Sequence, residues 1–479
     1  NKILKELKEK IDNDEYLQSL EWIFGGTEPA SNVAEKYNIF DKIFYSTEDI
    51  DDTMAYLKGM ENKGIERYED NLIDRINSKY PYPLLRHHLG LSTIDETVDA
   101  IEKIAEAKVL DVISVAPDQN AQEFFFDQEN MDKSLDGAGG VPLRNKDDFR
   151  LLFDAAQRGN YPLLRSYSGT RNMIPFAEVL QDSINNAWCA VPLFWYSVLD
   201  GRSKRPLDQA IRENQEVMKW HGERNIPVEV NDPHHFSLRD AHDAVAVADA
   251  YLVAYNAKQM GVKNYISQFM FNVPANISPE KDLGKMLAKI ELMSSLEDDN
   301  FKIYRQARAG LASFPSDLYQ AKGQLAASCY LAMAIKPHIY HVVGYCEAHH
   351  AATSEDVIES ARIVRGVIKN DFLGSIDMTK DKVVNDRKEE LVKEAKLIIQ
   401  AIKDIYTGDK DPLTDPENLA KAVKIGILDA PHLIGNEAAC GELKTRLISG
   451  AMYAYDEDKK EIISEEERLT KILKTSSLV

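Results

Sequence analysis

A beat of short apolar segment, turn and amphipathic helix repeats eight times between residues 83 and 370, and no other feature narrows the fold of this chain as much. The strand-like segments are PLLRHHLG (83–90), VLDVISVAP (109–117), YPLLRSYS (161–168), WCAVPLFWYS (188–197), IPVEVND (226–232), KNYISQFMFN (263–272), NFKIYRQA (300–307) and HIYHVVGYC (338–346). Their β-branched and aromatic residues favour extended backbone. The gaps carry helical periodicity, as in TIDETVDAIEKIAEA, DDFRLLFDAAQR and SLRDAHDAVAVADAYLVAYNAKQ. Eight such units over about 290 residues is the arithmetic of an α/β fold of the (β/α)8 TIM-barrel type, a little longer than the usual ~250. An open doubly wound sheet is the alternative, but no GxGxxG follows the first strand.

The flanks read differently. Residues 1–80 are charged, with apolar positions at helical spacing and no strand alternation, and are expected to form an N-terminal helical extension to a barrel at 81–370. Residues 371–479 begin lysine- and acid-rich and helical; Gly426, Gly435, Gly441 and Pro431 then suggest an extended segment draped over a rim. A net charge of −20 repels phosphate backbones and no basic block offsets it, so nucleic acid is not an expected partner. No apolar run of about 18 residues and no signal-peptide pattern occurs, and a cytoplasmic protein with no membrane partner is expected. The four cysteines, Cys189, Cys329, Cys346 and Cys440, are widely spaced, which fits reduced thiols rather than a disulfide framework.

Chemistry concentrates in IKPHIYHVVGYCEAHHAATSED (335–356), which runs from a strand into a polar turn and then into a helix opened by Thr353 and Asp356 as a capping box. α/β barrels place their chemistry at such carboxyl strand ends. Three adjacent histidine pairs, His87–His88, His234–His235 and His349–His350, fall at or beyond strand ends. They suit either a metal site with Cys346 or a hydrogen-bonding floor for a flat polar ligand; in the plainest reading one member of each pair packs and the other meets solvent. No HExxH or paired CxxC fixes a tetrahedral set, and no metal is assigned. Glu347 could accept two hydrogen bonds from a vicinal diol such as a ribose. Asn231, Asp232 and Asn272 are candidate polar contacts or ordinary turn and cap residues. Tyr167, Trp195 and Tyr196 are candidate pocket walls or core.

Several segments carry a resemblance: ASFPSDLYQAKGQLAASCYLAMA, MGVKNYISQ, KIGILDAPHL with AACGE, and RPLDQAIRENQEVMKWHGERNIPVEVN. Together, over about residues 80–455, the chain resembles the large, barrel-forming subunit of glutamate mutase, also called methylaspartate mutase. The resemblance implies an isomerase: a radical carbon-skeleton mutase working with adenosylcobalamin held mainly by a separate small subunit, in a homodimer or heterotetramer. It implies that Glu347 holds the ribose, that Arg86 or, two residues on, His88 faces the corrin, and that His349 and Pro315 border the cofactor. Glu347, Arg86 and His88 are the catalytic candidates it offers. Substrate contacts fall to Arg165, Tyr167, Tyr196, Asn231 and Arg305. The family's lysine before the ribose glutamate is Val343 here, a substrate arginine falls at Ala121 or Gln122, and the ammonium-binding glutamate falls near Ala190 amid apolar residues. An apolar pocket and a substrate other than glutamate are therefore expected. The chain lacks a corrinoid DxHxxG; its nearest approach, Asp240 to Asp243, is expected inside a helix. Two other readings stand beside this one: a metal-dependent barrel enzyme using Cys346 and rim histidines, and a degenerate, non-catalytic barrel.

Overall fold

A computed structural model describes residues 2–45, 53, 56–57 and 68–476. Residues 1–67 and 68–479 are two compact units. Within the first, the helix Lys2–Asp12 is followed by two short strands, β1 (Ile23–Gly26) and β2 (Lys42–Tyr45), which pair in parallel across the helix Glu28–Ala34. The all-helical reading of residues 1–80 misses these strands: each is four residues long, too short to show alternation, and β1 contributes two glycines. The helical reading of 51–67 falls mostly outside the described residues.

In the second unit, β3 (Leu84–Leu89), β4 (Val112–Val115), β5 (Leu163–Arg165), β6 (Cys189–Ala190), β7 (Val228–Val230), β8 (Asn264–Phe271), β9 (Lys302–Ala309) and β10 (Ile339–His341) form one sheet in the order β5-β4-β3-β10-β9-β8-β7-β6. Every pairing within it is parallel. The outer strands β5 and β6 meet through a parallel bridge between Tyr167 and Ala190, with the Ser168 N–H donating to the Ala190 carbonyl at 3.3 Å, which closes the (β/α)8 barrel. All eight segments read from the sequence are strands, but most are shorter than expected, β6 and β10 among them. β6 stops at Ala190 because the buried Asp232 carboxylate accepts the Leu193 and Phe194 N–H groups at 2.8 and 2.6 Å, taking the place of ladder partners. β10 stops at His341, and Gly344 starts a turn in which the Glu347 N–H donates to the Gly344 carbonyl.

Alternation sorts each strand between lumen and helix shell. The lowest lumen layer is apolar: Leu84, Val112, Leu163, Trp188, Ile266 and Ile339 pack with Leu72 and Ile76 of the helix Leu72–Lys79, which plugs the amino-terminal end. The carboxyl end is left to the loops. The helix Asp243–Gln259 is buried nearly all round because the long helix Lys382–Asp404 covers its outer side together with the helix Pro279–Ser294, which explains its alternating alanine and valine. Asp240 takes a positive φ of 58° and His242 is the N-cap, so the DxH sequence lies in the turn before this helix rather than inside it.

Beyond Pro416–Lys424, Asp429 ties residues 441–443 by accepting their three N–H groups, and Asn436 donates to the Val198 and Leu199 carbonyls past β6. A three-stranded antiparallel sheet, β11 (Thr445–Ile448), β12 (Ala451–Asp456) and β13 (Glu461–Ile462), and the helix Glu465–Ser476 complete the chain; the sequence reading did not anticipate that sheet. No helix among the described residues is long and apolar enough to cross a membrane.

Candidate functional site

Above the apolar plug the lumen is charged. Arg86 on β3 donates from Nη1 to Gln306 Oε1 at 2.9 Å and lies 3.4 Å from Glu229 Oε2; Arg165 on β5 is 3.8 Å from the same oxygen and donates to Ser114 Oγ at 3.0 Å. Glu229 also accepts from Trp188 Nε1 and Gln268 Nε2, both at 2.7 Å. Burial pushes the Glu229 carboxyl up, but Arg165, Arg86 and the Trp188 hydrogen bond bring it below the usual carboxylate range, so it is ionised. Arg308 on β9 is the third buried arginine, and no carboxylate among the described residues bonds to it; its Nε donates to the Ala309 carbonyl. Burial and Arg165 press Arg86 well below its ordinary value, and burial lowers Arg308, yet arginine stays protonated at any working pH. Three cations thus face one buried anion. Arg165 Nη1, Arg86 Nε and Gln306 Nε2 have no hydrogen-bond partner among the described residues.

His88 and His341 form the next layer, edge to face at 4.5 Å. Burial, then Arg86, hold both well below the histidine range, so both are neutral imidazoles. Arg86 Nη2 reaches His88 Nε2 at 2.6 Å and the Tyr167 hydroxyl lies 3.0 Å from the same nitrogen.

The structure therefore brings together Arg86, His88, Arg165 and Tyr167 from the sequence candidates, and adds Glu229, Gln306, Arg308 and His341. The expectation of an apolar pocket is corrected: Arg308, three strand positions on from Arg305, supplies a cation that residue matching at Ala121 and Gln122 did not find. Arg305 itself is not in the lumen. It lies on the opposite parity of β9, and its guanidinium donates to the Lys336 carbonyl before β10 begins. Ala121 is packed in the helix shell and Gln122 donates to the Pro117 carbonyl. Arg86 is fully buried beneath His88 and Tyr167, so a group lying across the mouth meets His88 and not Arg86. Asn231 is buried just past β7, with Oδ1 unpartnered among the described residues. Tyr196 lies in the loop after β6 with φ of 58° and Arg202 over its ring at 4.7 Å, in an aromatic group with Trp195 and His235. Asn272 is a turn former, also at positive φ, that accepts from Ser328 Oγ. Pro315 is half-buried in the loop after β9.

Glu347 and His349 are exposed on the loop after β10, though partial burial of the Glu347 carboxyl raises it above its ordinary value against the opposing charge of Arg308. Beside them, on the outer face of β3, His87 borders a cavity of about 410 Å³ with Cys346, Glu347, His349 and His350. Donor atoms of Cys346, His350 and Asp356 lie within 4.8 Å of one another. Burial and the nearby Asp356 push the Cys346 thiol up to about 11, so by itself it is no nucleophile at neutral pH. Asp356 closes the expected capping box with Thr353 and also accepts from the Tyr345 hydroxyl at 2.7 Å. Burial would raise this carboxyl, but the bonds from Tyr345, Thr353 and His350 bring it to about 2.

No protein-family model and no curated protein matches the chain. Among solved structures it is similar to a rubisco-like protein from Alicyclobacillus acidocaldarius, at 13% identity over 66% of this chain and 69% of that one, with a TM-score of 0.36. It is also similar to a type I 3-dehydroquinate dehydratase from Clostridium difficile, at 10% identity over 60% of this chain and 92% of that one, with a TM-score of 0.27. Likenesses this weak carry no argument about function. The barrel stands on its own strand order and closure.

Proposed function

We propose that this barrel is the substrate-binding subunit of an adenosylcobalamin-dependent carbon-skeleton mutase, and that its substrate is a carboxylate seated against Arg165 and Arg308. The observation that carries the substrate class is the charge imbalance in the lumen, three arginines against Glu229 among the described residues. Uncompensated buried charge is costly, and an anionic ligand offsets it. The reaction class rests on the resemblance. Adenosylcobalamin, when bound across the mouth, supplies homolytic hydrogen abstraction.

This chain's own contribution is positioning. The exposed Glu347 carboxylate fits the ribose hydroxyls at the nucleoside end of the cofactor, and His88 rather than Arg86 meets what lies over the lumen. Arg165 and Arg308 hold the carboxylate; neutral His88 and His341 with Tyr167 line the wall and exclude water. Glu229 is engaged by two arginines, so no unengaged acid among the described lumen residues remains to take an ammonium. The substrate is accordingly a carboxylic acid without an α-amino group, and glutamate and 3-methylaspartate are poor ligands.

Calorimetric titration of the purified chain tests this. A dicarboxylate without an amino group, such as 2-methylsuccinate, binds, glutamate binds far more weakly, and Arg308→Met or Arg165→Met costs hundreds- to thousands-fold in affinity, the equivalent of about 3 to 5 kcal/mol for an unpaired buried charge. Visible-absorbance titration with adenosylcobalamin tests the division of labour: affinity rises only on adding a small cobalamin-binding subunit, and tight binding by this chain alone overturns that part.

A further inference from the structure

The cavity outside the lumen holds a second, chemically different constellation that the mutase reading does not use. Cys346, His350 and Asp356 bring a thiol, an imidazole and a carboxylate within 4.8 Å of one another, with His350 Nε2 already 3.0 Å from Asp356 Oδ2, a spacing that suits a small tetrahedral ion. Their supports are already built. Tyr345 OH holds Asp356 Oδ1 at 2.7 Å and Thr353 Oγ1 holds Oδ2 at 2.7 Å. His350 Nε2 donates to Asp356 Oδ2 at 3.0 Å, and His350 Nδ1 lies 2.8 Å from His349 Nδ1, two contacts that orient the ring. Partners of this kind orient metal-binding histidines and carboxylates.

An independent observation comes from the other wall. His87, 7% exposed, borders the same cavity, and its Nδ1 has no hydrogen-bond partner among the described residues. Gly344 lies between the two walls: a Cβ there would sit 3.3 Å from Cys346 Sγ and 3.4 Å from His87 Nε2, so the missing side chain is what leaves these two donors facing one space. One thiolate, one carboxylate and two neutral imidazoles balance a divalent charge, which removes the penalty that an uncompensated ion would meet in a half-enclosed site.

We propose that Cys346, His350 and Asp356 bind a zinc-type divalent ion, with His87 as fourth donor, and that the ion braces residues 344–353 and with them the rim residue Glu347. On binding, the Cys346 thiol gives its proton to solvent as the metal–sulfur bond forms, the His350 ring proton moves by way of solvent from Nε2 to Nδ1 so that Nε2 coordinates in place of donating to Asp356, and no redox change occurs. None of the four ligands belongs to the mutase reading, so zinc binding is tested independently of it.

The test uses the full chain, stripped with a chelator and titrated with zinc and with cobalt(II). One ion binds per chain, cobalt(II) gives a thiolate charge-transfer band, and zinc slows proteolysis within 347–352. Cys346→Ser abolishes the band, His350→Ala weakens zinc by tens-fold or more, and His349→Ala, which removes only a support, costs roughly 10-fold. Cys440→Ser, on a distant half-buried thiol, changes nothing and shows that the band belongs to Cys346. His350→Ala is on an exposed side chain and leaves the circular dichroism spectrum unchanged, so its loss of zinc is read on folded protein. Less than stoichiometric zinc, or equal affinity in Cys346→Ser and His350→Ala, overturns the proposal.

Discussion

Glu229 and Arg308 divide the labour of the lumen between stability and binding. Glu229 is the shared counter-ion of Arg86 and Arg165, and Glu229→Gln leaves two buried guanidinium groups without it; urea denaturation should show a loss of about 3 to 5 kcal/mol. Arg308 has no bonded carboxylate among the described residues, so Arg308→Met should be neutral or stabilising while abolishing anion binding, the trade expected at a strained functional position. A loss of stability in Arg308→Met equal to that of Glu229→Gln would show that Arg308 is structural. Both residues were within reach of the sequence. In β9, Gln306 and Arg308 share one parity and Arg305 takes the other; in β7, Glu229 stands between two valines that face the shell. What misled the reading was taking Arg305 as a remaining anchor without weighing parity within its own strand.

At the scale of elements, the helix starts were the most legible feature. The capping box at Thr353 and Asp356 forms as the spacing dictates, with the Asp356 N–H donating to Thr353 Oγ1 at 3.2 Å. Thr353→Ala should cost about 1 kcal/mol in thermal or urea unfolding. It should also raise the Asp356 pKa from about 2, because the Thr353 Oγ1 bond, one of those that hold the carboxylate ionised, is lost while the Thr353 N–H bond stays. The lowered native pKa makes this a stabilising carboxylate above the ordinary carboxylate range, with its contribution lost as pH falls toward about 2; NMR titration of the wild type and Thr353→Ala checks the shift. Strand ends were less legible than helix starts. The sequence runs apolar through Trp195 and Tyr196 and through Val343, and nothing local reveals that Asp232 takes over the N–H groups of residues 193 and 194. The two strands of the first unit and the C-terminal β11–β13 sheet escaped for a related reason: short strands exist by virtue of their partners, and pairing is not local information.

Across the whole second unit, the C-terminal helix Lys382–Asp404 works as part of the barrel shell. Arg387 reaches Asp243 at 2.8 Å and Lys285 lies 3.3 Å from the same carboxylate and 3.2 Å from Asp282, an ionic group buried between three helices. Next to it, burial and the charge of Lys285 press Lys289 down to about 7. Because this native pKa lies below that of an unfolded lysine, the unfolded chain binds more protons from about pH 7 to about 10.5, and stability should rise with pH across that window. The penalty is complete below pH 7. Lys289→Met should remove the slope and stabilise the protein at neutral pH, measured by urea unfolding at pH 6 to 10; an unchanged slope would place the titration elsewhere.

By itself the sequence determined the alternation of eight strands with helices and hence the barrel, because period 2 and period 3.6 are properties of adjacent residues and a parallel strand pair requires a crossover. It also determined which strand ends carry histidine, arginine and acid. Which of these groups meet was decided only by tertiary structure: Arg86 finds Glu229 143 positions away and Gln306 220 positions away, while His87, one residue along, turns out of the lumen toward Cys346. Closing the barrel brings side chains from distant strands into one lumen, and strand registers and loop paths, set by packing over the whole unit, choose which of them share it.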